Sequence, residues 1–162
     1  MQPERVTVMR GNVLRSALLL ATAILLALIA GRAFWVWLGE SPFGMTGATY
    51  VDFFQHLDQR IAFPIAMIGI LGPLLAGVSA AVSRADRPVF YSLVAACALG
   101  VIGVLVTVAI NVPINEQIAD WKPAALPAGY EDVLQTWWTW HIVRMIANLG
   151  AMCAALLALL MA

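Results

Sequence analysis

The chain reads as an all-α integral membrane protein, a four-helix bundle, and three observations predict it. Hydrophobic residues make up 62% of the 162 residues and charged ones only 11%, against about 45–50% and about 25% in soluble domains. Four apolar runs, 13–38, 61–82, 89–112 and 138–162, each reach the ~20 residues that a helix needs to cross the hydrocarbon. Those runs are continuously apolar rather than alternating, which excludes a membrane barrel. A single transmembrane domain over 1–162 follows.

The first run comes after Arg5, Arg10 and Arg15 and contains ALIAGRA, which mimics a signal-peptide cleavage site. The apolar stretch resumes beyond Arg32 as AFWVWL, so a retained helix is expected, with Trp35 and Trp37 at the far interface. Arg32 either snorkels there or pairs with Glu40. The second run holds Pro64 and Pro73 beside Gly69, Gly72 and Gly77. Proline removes a backbone donor and crowds the preceding turn, so a kink is expected. The connection 83–88 is short and makes runs two and three an antiparallel hairpin. Gly100, Gly103 and Gly150 are small residues of the kind that let membrane helices approach closely.

Two longer connections join the remaining ends. The first, 39–60, contains TGATYVDFFQHLDQRI, which reads as a short interfacial helix capped by Thr46 or Thr49. The second lies within 111–144, where most of the polar groups gather. Lys/Arg excess marks the cytoplasmic side. Arg5, Arg10, Arg15, Arg84 and Arg87 face only Glu4 and Asp86 on one side of the bundle. The other side carries Glu40, Asp52, Asp58, Glu116, Asp120, Glu131 and Asp132 against Arg60 and Lys122. The expectation is a multi-pass protein of the cell membrane with both termini cytoplasmic. Zero net charge and the lack of a basic block argue against nucleic acid as a partner. Cys97 and Cys153 lie in apolar runs with no metal-ligand spacing, so neither a zinc site nor a disulfide framework is indicated.

Three polar groupings carry possible chemistry. Asp52, His56 and Arg60 recur every fourth residue and share a helix face. They form either a solvated stripe or a site in which Asp52 fixes the tautomer of His56 beside a substrate. Asn111 and Asn115 share a face around Pro113. One of them can answer backbone groups freed by the proline, while a second amide in apolar surroundings points to a pocket. Trp137, His141 and Arg144, with Trp140 alongside, line the start of the last run. Trp138 and Trp140 fit an aromatic belt. Arg144 lies about a turn inside the membrane edge, where ionisable groups face the bundle interior, with Glu116 or Asp120 as its resting partner.

The elements NVPIN and WWTWHIVR, reading as N-x-P-x-N and W-x-x-x-H-x-x-R, together resemble an integral membrane family of largely unassigned activity. That family includes the anthrone oxygenases of aromatic polyketide biosynthesis. The matching positions are Asn111, Pro113 and Asn115, then Trp137, His141 and Arg144. YVDFFQHLDQRIAFP resembles the segment leading into the family's second helix, with His56 and Pro64 as matches.

The resemblance implies oxygenation of a lipophilic, electron-rich aromatic with molecular oxygen as co-substrate and no flavin or haem. In that chemistry His141 or His56 acts as general base. Arg144 with Asn111 or Asn115 stabilises the enolate oxygen. Trp137 and Trp140 wall the ring system, and Asp52 lies at the substrate through His56. Two other classes stand beside this one. His56 and His141 with Asp52, Glu116 or Asp120 suit a redox metal, or the two histidines a haem. A non-enzymatic assembly or lipid-binding subunit needs only a polar stripe that satisfies itself.

Overall fold

The computed structural model of the chain describes the backbone from Pro3 to Ala162 and the side chains from Asn12 onward. Glu4, Arg5 and Arg10 of the charge count therefore lie outside the described side chains. Helix α1 (Pro3–Gly39) leads through a short 3-10 turn, Pro42–Gly44, into α2 (Gly47–Val82). Helix α3 (Arg87–Val106) passes through a π turn, Thr107–Asn111, into α4 (Val112–Ala119), and α5 (Tyr130–Met161) closes the bundle. Four helical stretches are long and apolar enough to span a bilayer: Asn12–Gly44, Gly47–Val82, Arg87–Ala119 and Tyr130–Met161. With large apolar side chains such as Phe63, Leu74, Val78, Leu105 and Leu160 turned outward, the chain is a multi-pass membrane protein.

Each helix contacts two neighbours. Helix α2 packs on α1 and α3, and α5 packs on the same two, so α2 and α5 sit diagonally. The N-terminal part of α1 and the 83–86 turn share one end, tied by Arg15 Nη2 to Asp86 at 2.7 Å and Arg15 Nε to Ser83 at 3.3 Å. Small residues close this hairpin half. Ala23, Ala76, Ala96, Ala151 and Ala155 form a core with Leu26. A Cβ added to Gly100 meets Pro73 Cβ at 2.9 Å, so only glycine lets α3 lie this close to α2. Thr22 and Ser79 share a buried hydroxyl hydrogen bond at 2.9 Å.

The helices are longer than the apolar runs predict. The helix expected as a separate interfacial piece begins after the Thr46 cap, whose hydroxyl accepts from Thr49 N, and continues without a break into the second span. Nothing between Gly47 and Phe63 breaks a helix, and the chain carries on through Pro64 and Pro73. At 36 residues, α2 runs ~54 Å at 1.5 Å per residue, well beyond the ~30 Å hydrocarbon core. The stretch 61–82 carries no charge, so the surplus is the polar N-terminal end. The third span likewise continues past Asn111 and Pro113 to Ala119. The π turn makes this possible. It lengthens the loop of backbone just before Pro113, with Val112 N donating to Thr107 O, where the proline ring would otherwise strike the preceding turn. The fourth helix starts at Tyr130, after Gly129 in the left-handed region at φ 78°.

A second cluster roofs the opposite end. Tyr50, Val51, Ile118 and Leu134 are buried there, with Phe54, Trp121, Leu126 and Tyr130 packed around them. Gln55 Nε2 donates to the carbonyls of Ile118 at 2.9 Å and Trp121 at 2.8 Å. It thereby answers acceptors left free at the end of α4.

Candidate functional site

Between the roof and the tightly packed hairpin half lies a cavity of about 240 Å³, enclosed by α1, α2, α3, the π turn, α4 and α5. Its walls are mostly apolar, with Ile29, Val36, Phe54, Leu57, Ile61 and Ile65 among them. The polar groups that reach it are Arg32, Glu40, Tyr50, Asp58, Thr107, Asn115, Arg144 and Asn148. Ala62, Ala66 and Ile70 on α2, and Val108 and Val112 across from them, line the cavity yet are exposed. They form two apolar lips of a slot between α2 and the α3–α4 stretch, facing the surface that lipid covers.

Arg144 dominates the polar wall. Its Nε and Nη2 lie 3.1 and 3.0 Å from His141 Nδ1, and Nη1 donates to Thr107 Oγ1 at 3.4 Å. Its guanidinium carbon stands 5.7 Å from the Trp137 ring centroid. Both hydrogen-bond partners are neutral acceptors, and among the described residues the ion pairs are Arg15–Asp86 and Arg32–Glu40. The expected pairing of Arg144 with Glu116 or Asp120 is therefore not formed; both carboxylates are exposed on the far side of α4 and in the turn after it. Burying an arginine at a bilayer centre costs ~2.5–3.5 kcal/mol on insertion scales. Here the cation is retained with part of its five-donor fork uncommitted.

His141 is fully buried but does not line the cavity. Its Nε2 lies 3.0 Å from the carbonyl of Ala33, which can only accept, so Nε2 carries the proton and Nδ1 is the acceptor facing Arg144. The ring is stacked on Trp137 at 5.2 Å and on Trp138 at 5.6 Å. Both nitrogens are thus occupied by protein. In this arrangement His141 ties α5 to α1 and meets Arg144, and it is not among the residues that line the cavity.

His56 lies apart from this cluster. The stripe Asp52–His56–Arg60 is exposed and lies outside the cavity. The neighbouring face of the same helix, Phe54, Leu57, Asp58, Ile61 and Ile65, lines it instead. Among the described residues no group of three or more His, Cys, Asp or Glu side chains could hold a metal; His56 is exposed and His141 buried.

The two asparagines separate. Asn115 lines the cavity, accepts from Trp137 Nε1 at 2.7 Å and contacts Asp58 Oδ1 through Nδ2 at 3.5 Å. Asn111 is fully buried behind it, donating to the Trp137 carbonyl at 3.3 Å, and its Oδ1 has no partner. Trp137 is a cavity wall, edge-on to Phe54 at 6.0 Å. Trp140 points out of the bundle, 38% exposed, and does not reach the cavity.

Several lining residues escaped the sequence reading. Asn148 continues the 137–141–144 spacing one turn further, and its Oδ1 would stand 2.5 Å from a Cβ at Gly103, so that glycine makes room for it. Thr107 donates to the Gly103 carbonyl at 2.8 Å and receives Arg144. Arg32 and Glu40 were not among the expected site residues, but the pairing offered for them is formed, with two bonds at 3.1 and 2.9 Å in the wall. For Asp58 the available signal was its apolar flank: it shares a face with Phe54, Ile61 and Ile65.

A search of curated proteins and a search of solved structures each find no match. The family model described as anthrone oxygenase matches residues 54–154. That match covers more than half of the chain and takes in the cavity's polar wall from Asp58 to Asn148, so the chain belongs to the anthrone oxygenase family.

Proposed function

We propose that the chain is a membrane-embedded oxygenase that converts a lipophilic, anthrone-like aromatic to a quinone at the outer face of the cell membrane, with molecular oxygen and no added cofactor. One observation carries the reading: an arginine without a carboxylate partner among the described residues, in the wall of an apolar, aromatic-lined cavity that opens toward lipid. At about 240 Å³ the cavity lies just below the ~300–1,000 Å³ range of small-molecule pockets. That size suits a small flat ring system better than a lipid with its acyl chains. The slot between Ala66 and Val108 gives an apolar substrate access from the bilayer.

In this chemistry the substrate lies against Trp137 and Phe54 with its carbonyl oxygen toward Arg144. Deprotonation of the ring methylene moves negative charge onto that oxygen, and a preorganised donor in a dry site stabilises such charge most strongly. The electron-rich carbon then reduces dioxygen and forms a C–O bond. Loss of water leaves the quinone. Overall the methylene gives up two hydrogens and gains one oxygen atom, and the second oxygen departs as water. An assembly subunit, by contrast, calls for a polar stripe that closes on itself, and among the described residues Arg144 has no carboxylate to close it.

The test is oxygen uptake on an anthrone by protein purified into nanodiscs. Arg144→Ala is expected to lower kcat by about 10²–10³, the scale of a lost oxyanion donor. Arg144→Lys recovers only part, because an ammonium cannot reproduce the fork held by His141 and Thr107. Equal turnover by wild type and Arg144→Ala defeats the proposal.

A further inference from the structure

We infer that Asp58 is the catalytic proton acceptor of this site, held toward the substrate by Asn115; the inference rests on the proposed reaction. The cavity contains two carboxylates. Glu40 is committed to Arg32 through two hydrogen bonds. Asp58 is half-buried, lines the cavity, and forms no ion pair with Arg32, Arg144 or any other described cation. An unpaired cation and an unpaired carboxylate thus share one apolar chamber without neutralising each other. These are the two parts that enolisation requires: an acceptor for the proton and a donor for the developing oxyanion.

The orientation of Asn115 reinforces the assignment. An indole N–H can only donate, so the amide oxygen of Asn115 must face Trp137 Nε1, at 2.7 Å. Its Nδ2 is then directed at Asp58 Oδ1, at a long 3.5 Å. The amide steadies one carboxylate oxygen and leaves the other for substrate. Trp137 joins the two sides, because its indole fixes Asn115 while its face receives Arg144. In the step itself a methylene C–H bond breaks, the proton passes to Asp58, and the electron pair delocalises to the carbonyl oxygen beside Arg144. No oxidant is consumed. His56 and His141, outside the cavity, take no part in the transfer.

Because this step precedes oxygen, it can be read alone. Anthrone is incubated anaerobically in deuterated buffer with the protein in nanodiscs, and methylene exchange is followed by mass spectrometry. Wild type should accelerate exchange. Asp58→Asn should lower the acceleration by about 10²–10⁴, the range of general base catalysis, while still quenching tryptophan fluorescence on binding anthrone. Asp58→Glu should restore part of the rate. Wild-type exchange and turnover in Asp58→Asn overturn the inference and leave the proposed function standing. Exchange by wild type that Asp58→Asn loses, without oxygen uptake, supports Asp58 and removes the oxygenase reading. Neither exchange nor uptake by wild type overturns both.

Discussion

The two halves of this bundle use the same four spans for opposite ends. At the hairpin half, glycine and alanine draw the helices together until Pro73 rests on Gly100 and five alanines fill the centre. At the other half, the faces of α2 and α5 carry Phe54, Trp137, Arg144 and Asn148, which line a cavity between the same helices. Water supplies no hydrophobic drive between helices inside a membrane, so close approach depends on small side chains. The lesson is that side-chain size along each helix decides where the bundle closes and where it stays open. The closed half then acts as a fixed base for the open one.

The strongest way to break this contrast is to place one methyl group in each half. At Gly100 the added Cβ sits 2.9 Å from Pro73 Cβ, against a ring that cannot swing away. Overpacking of this kind costs ~1–3 kcal/mol, so Gly100→Ala should lower the thermal midpoint in detergent clearly. At Gly69, on the cavity wall, the nearest atom is Ile29 Cδ1 at 3.7 Å, an ordinary contact. Gly69→Ala should leave the midpoint unchanged or raise it, since alanine is the better helix former by ~1 kcal/mol. Equal losses at both positions would erase the distinction between a closed and an open half.

A sharper test concerns how the open half keeps its geometry. His141 joins Arg144 to the Ala33 carbonyl, so it transmits the rigidity of α1 to the guanidinium. His141→Phe keeps the stack on Trp137 but removes both hydrogen bonds. A misplaced catalytic group costs up to about 10²-fold, and a loss of about 10–100-fold in kcat is expected. His141→Gln, with one donor and one acceptor, should recover part of it, and the shape of the pH–rate profile should be the same in all three. A profile that loses its basic-group limb in His141→Phe would restore the histidine as the base.

How much of this was legible beforehand follows the same division. The closed half was readable, because apolar length and small-residue spacing are local properties: four spans, the short connection 83–88 and the small residues that include Gly100 all follow from composition and periodicity. The open half was readable only in part. Trp137, Arg144 and Asn115 could be placed near one pocket because they sit within a turn or two of span ends. Asp58 could not, since choosing between its face and that of Asp52–His56–Arg60 requires the rotation of α2 about its axis. Pro73 and Gly72 set that rotation by packing on α3 and α1. The spacing of four that made the His56 stripe conspicuous describes a solvent-facing row equally well. The continuity of the third span was hidden for a different reason: Pro113 ends the apolar run, and the π turn absorbs that proline.

The smallest effect separates the two asparagines, which were indistinguishable as a sequence pattern. Asn115 reaches the cavity, while Asn111 is enclosed, with one hydrogen bond at 3.3 Å and an acceptor oxygen that nothing answers. Asn111→Leu removes that one bond, and interhelical hydrogen bonds in membranes average ~0.6 kcal/mol. It also removes the unanswered acceptor, whose desolvation costs ~1–3 kcal/mol. The two terms oppose each other, so the thermal midpoint should move little, and upward if it moves. Turnover should be retained, because the site is built in front of Asn111 rather than on it. Loss of turnover to the level of Arg144→Ala with an unchanged midpoint would place Asn111 in the chemistry, and the wall between cavity and support would then have to be drawn one layer deeper.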